Sequence, residues 1–205
     1  MNFLAHLALA GPDDASRIGN ILGDFEKGTP DSIRERLPDE VVAGIMMHRR
    51  IDRFTDDHHS FQESKLLLAP ERRRFAGIIV DIFFDYFLNK HWSNYHPGSV
   101  AAFIEEIYQL FERRPEWLGQ QFGPLVPRLR TENWLASYGS FEGLNLTLER
   151  IANRSNKLTP ICEGVNDLKN NYEQFEEIFL GFYPDIRQQA AELLGSKSVK
   201  TPSFP

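Results

Sequence analysis

All six histidines fall within the first 96 residues. Three stretches set them among aspartates: NFLAHLALA with His6, GNILGDF with Asp24, and HRRIDRFTDDHH answered by VDIFFDYF. His48 and Asp52 are four apart, as are Asp81 and Asp85, so on helices each pair projects from one face. Two such faces, with His6 and Asp24 available from earlier segments, match the way helical bundles assemble metal sites from facing side chains. A mixed nitrogen and oxygen donor set suits Mn²⁺, Fe²⁺ or Zn²⁺, and without thiolate nothing favours zinc.

Each residue also has a plainer structural reading. His6 alone would be a hydrogen-bonded core histidine, Asp24 a cap or the partner of a nearby cation, and Asp52 the partner of Arg49 or Arg53. Asp81 lies between Ile78-Ile79-Val80 and Ile82-Phe83-Phe84, where an unpaired carboxylate is strongly penalised. Its structural alternative is a salt bridge to Arg49 or Arg50. His58 and His59 fall at an expected helix end, where protonated imidazole favours the macrodipole. His91 is expected at the rim of a site and His96, before Pro97, in a loop. Arg49, Arg50 and Arg53 flank the His48 face and Arg72, Arg73 and Arg74 open the next helix; guanidinium forks suit phosphate oxygens, although such runs also decorate solvated surfaces.

The elements that must position these side chains are helical. Ile45, His48, Ile51, Asp52 and Thr55 recur on one face of VVAGIMMHRRIDRFTD, which has no internal proline. ERRRFAGIIVDIFFDYFLNKHW is apolar enough to be the central, enclosed helix of a bundle. An amphipathic helix, VAAFIEEIYQLFERR, stops at Pro115, and the segment from Pro127 to Arg154 holds two more around Tyr138-Gly139. A long last helix is expected from about Gly164 or Asp167 to Leu194, bent near Pro184. The expectation is an all-α, compact single-domain helical bundle over residues 1–195, with a disordered tail at 196–205 and the C-terminal half serving as scaffold and a wall of the site.

Composition narrows the class. A chain of 205 residues suits one domain, and 41% hydrophobic with 25% charged residues argues against a membrane-embedded protein. Net charge of −6 disfavours general nucleic-acid binding. Cys162 is the only cysteine, which excludes an intrachain disulfide framework and fits a reducing compartment; with no signal sequence evident, the cytoplasm is expected. Gly-x-Ser-x-Gly, a phosphate loop and His-Glu-x-x-His are all absent from the sequence.

Taken in order, MNFLAHLALA, GNILGDFEKG, VVAGIMMHRRIDRFTD, RRRFAGIIVDIFFDYFLNKHW and the late FYP resemble the bacterial acyl carrier protein phosphodiesterase family over about residues 1 to 195. The combination carries the resemblance, above all HRRID followed some thirty residues later by D-x-x-x-D and HW. It implies hydrolysis of the phosphodiester joining 4′-phosphopantetheine to a serine of holo acyl carrier protein. It also implies dependence on Mn²⁺, with Mg²⁺, Fe²⁺ or Zn²⁺ also admitted, and an HD-phosphohydrolase-like fold of atypical kind. No His-Asp dipeptide occurs in this chain, where Asp24 follows Gly23. On that resemblance His6, Asp24, His48 and Asp81 are the expected metal ligands. Asp52 and Asp85 are expected to orient them or accept protons, and Arg49 and Arg50 to contact phosphate. An acidic carrier protein would need a basic landing surface, for which Arg53 and Arg72 to Arg74 are expected. Two other functions fit the same residues: an HD-type hydrolase of a nucleotide or small phosphate ester, and a non-enzymatic helical binding protein.

Overall fold

The computed structural model describes residues 1–195; the tail expected at 196–205 lies outside the described residues. No strand occurs among the described residues. Helices run in the order α1 (Phe3–Leu9), α2 (Asp14–Leu22), α3 (Pro30–Arg34), α4 (Asp39–Asp57), α5 (His59–Leu66), α6 (Ala76–Lys90) and α7 (Trp92–Tyr95). They continue through α8 (Val100–Arg113), α9 (Gly119–Phe122), α10 (Val126–Thr131), α11 (Trp134–Ser137), α12 (Phe141–Ala152), α13 (Gly164–Asn170) and α14 (Tyr172–Gly195). The all-α expectation is borne out, and no helix among the described residues is long and apolar enough to cross a membrane.

α6 is the enclosed helix that its composition predicts, with Ile79, Val80, Ile82, Phe83, Phe84, Phe87 and Leu88 all buried. It is shorter than expected: Arg73–Phe75 form a 3₁₀ turn before it, and it ends at Lys90. Aromatic side chains bind it to α14, where Phe175 meets Phe83 edge-on at 5.2 Å and Phe182 meets Phe84 at 5.1 Å. The segment 164–195 is two helices, because Asn171 breaks it and donates its amide to the Leu67 and Asp167 carbonyls. α14 then continues through Pro184, whose missing N–H deprives the carbonyl one turn back, at the exposed Leu180, of its usual intrahelical donor.

Two local devices position the chemistry. α2 crosses α4 so closely that a Cβ on Gly19 would lie 2.3 Å from the Val41 carbonyl oxygen and 2.6 Å from the Gly44 Cα, so both glycines are required by the crossing. The short α1 has no side-chain cap of its own. Asp85, on α6, supplies one from across the fold, accepting the backbone N–H groups of Leu4 (2.8 Å), Ala5 (3.2 Å) and Asn2 (3.3 Å). First-turn amides have no intrahelical acceptors, and a buried carboxylate satisfies several at once.

Arg72 is not part of any landing surface. Its guanidinium is buried and pairs two-pronged with Asp167, Nε to Oδ2 at 2.6 Å and Nη2 to Oδ1 at 2.9 Å. Arg73 donates to the Leu68 and Leu66 carbonyls, and Arg74 lies over the Phe75 ring. Arg72→Met is expected to destabilise the fold by about 3–5 kcal/mol, since it strands the buried Asp167 carboxylate. Chemical denaturation checks this, and a loss below about 1 kcal/mol would contradict it.

Candidate active site

α4 carries the centre of the site. Its Asp52 carboxylate reaches both imidazoles, Oδ1 standing 3.0 Å from His6 Nε2 and Oδ2 standing 3.0 Å from His48 Nε2. The two rings stack with centroids 3.8 Å apart. His48 is locked from behind, because its Nδ1 lies 2.7 Å from the Asn20 carbonyl oxygen and so carries the proton donated there. That fixes the ring's orientation and leaves Nε2 as the atom that meets Asp52. Gly23 makes room for the ring: a Cβ there would fall 2.1 Å from His48 Cγ. Asp24, on the turn after α2, completes the group with its Oδ1 3.5 Å from His48 Nε2.

Charge within the group is sharply divided. Burial, helped by repulsion from His48, lowers the His6 pKa to about 4. Burial works the same way on His48, but the hydrogen bonds and charges of Asp24 and Asp52 overcome it and raise that pKa to about 9. Desolvation would raise Asp52, yet the two imidazoles hold it far below the ordinary carboxylate range. The outcome is one cationic charge held between acceptors, a place filled equally well by a proton or a metal ion. His6, His48 and Asp52 offer ligand atoms that all lie within 4.8 Å of one another. His6, His48 and Asp52 would be the residues to hold such an ion, two imidazole nitrogens and a carboxylate being donors that divalent metals take. The three residues therefore form a candidate metal triad, and its donors fit a divalent ion without naming which.

Of the expected ligands, His6, His48 and Asp24 come together, and Asp52 joins them between the imidazoles. Asp81 stands apart from the triad, paired through Oδ1 with the Met1 ammonium at 2.8 Å. Neither Arg49 nor Arg50 is its partner, and Asp52 likewise pairs with imidazoles instead of arginines. Burial pushes the Asp81 pKa up to about 6, against the pull of that ammonium. Asp85 serves α1 as its cap, and burial raises its pKa to about 7 against the ammonium and the backbone donors.

The arginines expected at phosphate take other positions. Arg49 donates to the Gly28 and Glu26 carbonyl oxygens at 3.0 and 2.9 Å, pinning the loop that follows Asp24. Arg50 is exposed and lines a separate groove with Arg53, Phe54 and His58, since it points about 200° around α4 from both His48 and Asp52.

His58, His91 and His96 make structural contacts away from the triad. His58 closes α4 and caps α5, its Nδ1 accepting the Ser60 amide and its Nε2 lying 3.3 Å from Asp185 Oδ2. His91 Nε2 bonds Glu176, and His96 Nε2 lies 3.0 Å from the Tyr183 hydroxyl.

A cavity of about 340 Å³ opens beside the triad. Asp24 and Asp81 line it, with Phe3, Phe25, Trp134 and Tyr138 among the apolar and aromatic walls. The α11–α12 segment adds further lining, including Arg150 on α12 and Arg154 just beyond it. Nothing in the sequence marks these two arginines, which sit on and just beyond an ordinary amphipathic helix end.

The family model for acyl carrier protein phosphodiesterase matches residues 1–186, across every element that builds the triad and the cavity. The chain belongs to the acyl carrier protein phosphodiesterase family. A relative of that name from Yersinia pestis is 35% identical over 192 residues, spanning 93% of this chain and 97% of its own. Those from Yersinia enterocolitica and Escherichia coli O6:H1 are 37% and 36% identical, over 194 and 196 residues, each covering 98% of the relative. No solved structure matches. Membership in the acyl carrier protein phosphodiesterase family bears on the whole described fold, not on one motif.

Proposed function

We propose that this protein hydrolyses the phosphodiester between 4′-phosphopantetheine and the serine of holo acyl carrier protein, using a divalent ion held by His6, His48 and Asp52. The observation that carries the reading is the Asp52 carboxylate shared by two imidazoles beside a cavity, in a member of this family. Mn²⁺ is the ion proposed, and the HD-like affiliation is supported by the same helical cluster of imidazole and carboxylate. When bound, such an ion supplies Lewis-acid charge and acidifies water. His48 enters with its tautomer already set by Asn20, and Asp52 keeps both imidazoles oriented.

The remaining carboxylates divide the proton work. Asp24, 48% exposed and facing the cavity, accepts a proton from the attacking water. As water oxygen bonds to phosphorus the bond from phosphorus to the serine oxygen breaks, and that oxygen takes its proton from Asp81. A carboxyl group raised to about 6 keeps a protonated fraction near neutrality, as a general acid requires. Asp81→Asn is therefore expected to lower kcat by about 10²–10⁴-fold while leaving bound metal unchanged. Because the protonated form is the active one, wild-type activity should fall on the alkaline side of its profile, and the variant should lack that limb. Loss of metal from Asp81→Asn would make it a ligand instead.

A substrate panel with Mn²⁺ tests the reaction class. Turnover of holo carrier with inert nucleotides is expected; turnover of nucleotides with inert holo carrier would replace this reading with that of a small-ester hydrolase. A protein with neither activity and no stoichiometric metal would be a binding module.

A further inference from the structure

We infer that Arg150 and Arg154 form the anion-binding wall of the cavity and grip the phosphate ester oxygens, a role that rests on the phosphodiesterase reading above. Asp24 and Asp81 both line the cavity; Asp24 lies 3.5 Å from His48, and the Met1 ammonium that pairs with Asp81 at 2.8 Å is 4.0 Å from Asp52. A phosphodiester anion approaching these carboxylates is repelled unless positive charge faces them. The same cavity is lined by Arg150 of α12 and, just beyond the last turn of that helix, by Arg154.

Arg150 is prearranged for this. Its Nη2 donates to Glu132 Oε2 at 2.9 Å and its guanidinium lies 5.3 Å over the Trp134 ring. Glu132 also accepts from Arg128 Nε at 2.7 Å and from Trp134 Nε1 at 2.9 Å, so one carboxylate is shared by two arginines and the wall stays positive. Arg154 is exposed, lines the cavity and makes no side-chain hydrogen bond or ion pair among the described residues. A prearranged guanidinium beside an uncommitted one suits a tetrahedral anion with several oxygens. Arg49 and Arg50 are committed or turned elsewhere, which leaves this pair as the arginines in the cavity. The wall holds phosphate before and after cleavage, so it favours the phosphomonoester product as well as the substrate.

Calorimetry on the full chain with Mn²⁺ tests this, using 4′-phosphopantetheine, pantetheine, inorganic phosphate and apo carrier protein as probes. Arg154→Gln and Arg150→Gln should each weaken binding of 4′-phosphopantetheine and inorganic phosphate by about 10- to 100-fold, leaving pantetheine and apo carrier unchanged. In turnover, KM for holo carrier should rise with kcat nearly constant, as for an interaction made equally in ground and transition states. Unchanged phosphate binding in both variants would overturn the inference. So would weaker apo-carrier binding with 4′-phosphopantetheine unaffected, which would make these arginines a protein-docking surface. If wild-type protein fails to turn over holo carrier yet binds inorganic phosphate through these arginines, the wall stands and the proposed substrate falls.

Discussion

Asp52→Ala is expected to reduce bound Mn²⁺ to background and turnover of holo carrier by about 10³-fold or more. Among the described residues, Asp52 is the one side chain that touches both imidazoles, at 3.0 Å each. Its removal leaves two stacked rings, 3.8 Å apart, with no carboxylate between them. Asp24, at 3.5 Å from His48 alone, does not reach His6 in the same way. Asp52→Asn keeps an oxygen in place but removes the charge, so it should retain more metal than the alanine variant and less than wild type. Metal content after gel filtration in Mn²⁺ buffer, together with initial rates, checks both. An alanine variant that keeps stoichiometric metal would show that the triad is not the metal site.

Gly23→Ala should be nearly as damaging, although residue 23 contributes no chemical group. Its backbone is right-handed helical, φ −53 and ψ −34, so alanine meets no conformational penalty there. The effect is purely steric: the new Cβ falls 2.1, 2.2 and 2.6 Å from His48 Cγ, Cδ2 and Cβ. Those atoms cannot retreat without breaking the bond to Asn20 or the stack on His6. Overpacking of this kind costs about 1–3 kcal/mol. A shift of His48 by about 1 Å should lower turnover by about 10²-fold. Gly77→Ala is the control, since an added Cβ there meets nothing within 4 Å on an exposed turn of α6. It should gain up to about 1 kcal/mol with activity unchanged. Wild-type turnover in Gly23→Ala would contradict the requirement for this packing.

The same residues mark how far the sequence could be read. The i, i+4 spacing of His48 and Asp52 survived into the site because both lie on one long helix, where periodicity alone fixes the face. The identical spacing of Asp81 and Asp85 was equally visible, but their roles depend on partners about 80 positions away: the Met1 ammonium for one and the α1 amides for the other. Arg72 likewise looked like one of three surface arginines until Asp167, 95 residues on, was brought against it. The glycines of GNILGD carry the close crossing of α2 and α4 and the space for His48, yet no local pattern separates a packing glycine from an incidental one. The C-terminal half was legible as scaffold and wall, whereas the identity of the wall's charged residues was not, because it rests on Glu132, at the end of α10, holding Arg150 of α12.

The central claim is that this triad and cavity cleave the prosthetic group from its carrier. Intact-mass spectrometry of holo acyl carrier protein, incubated with the wild-type protein and Mn²⁺, tests it most directly. The expected result is conversion to the apo mass with release of 4′-phosphopantetheine, abolished by chelator and by Asp52→Ala. A holo carrier of unchanged mass, under conditions where the protein is folded and metal-loaded, would contradict it.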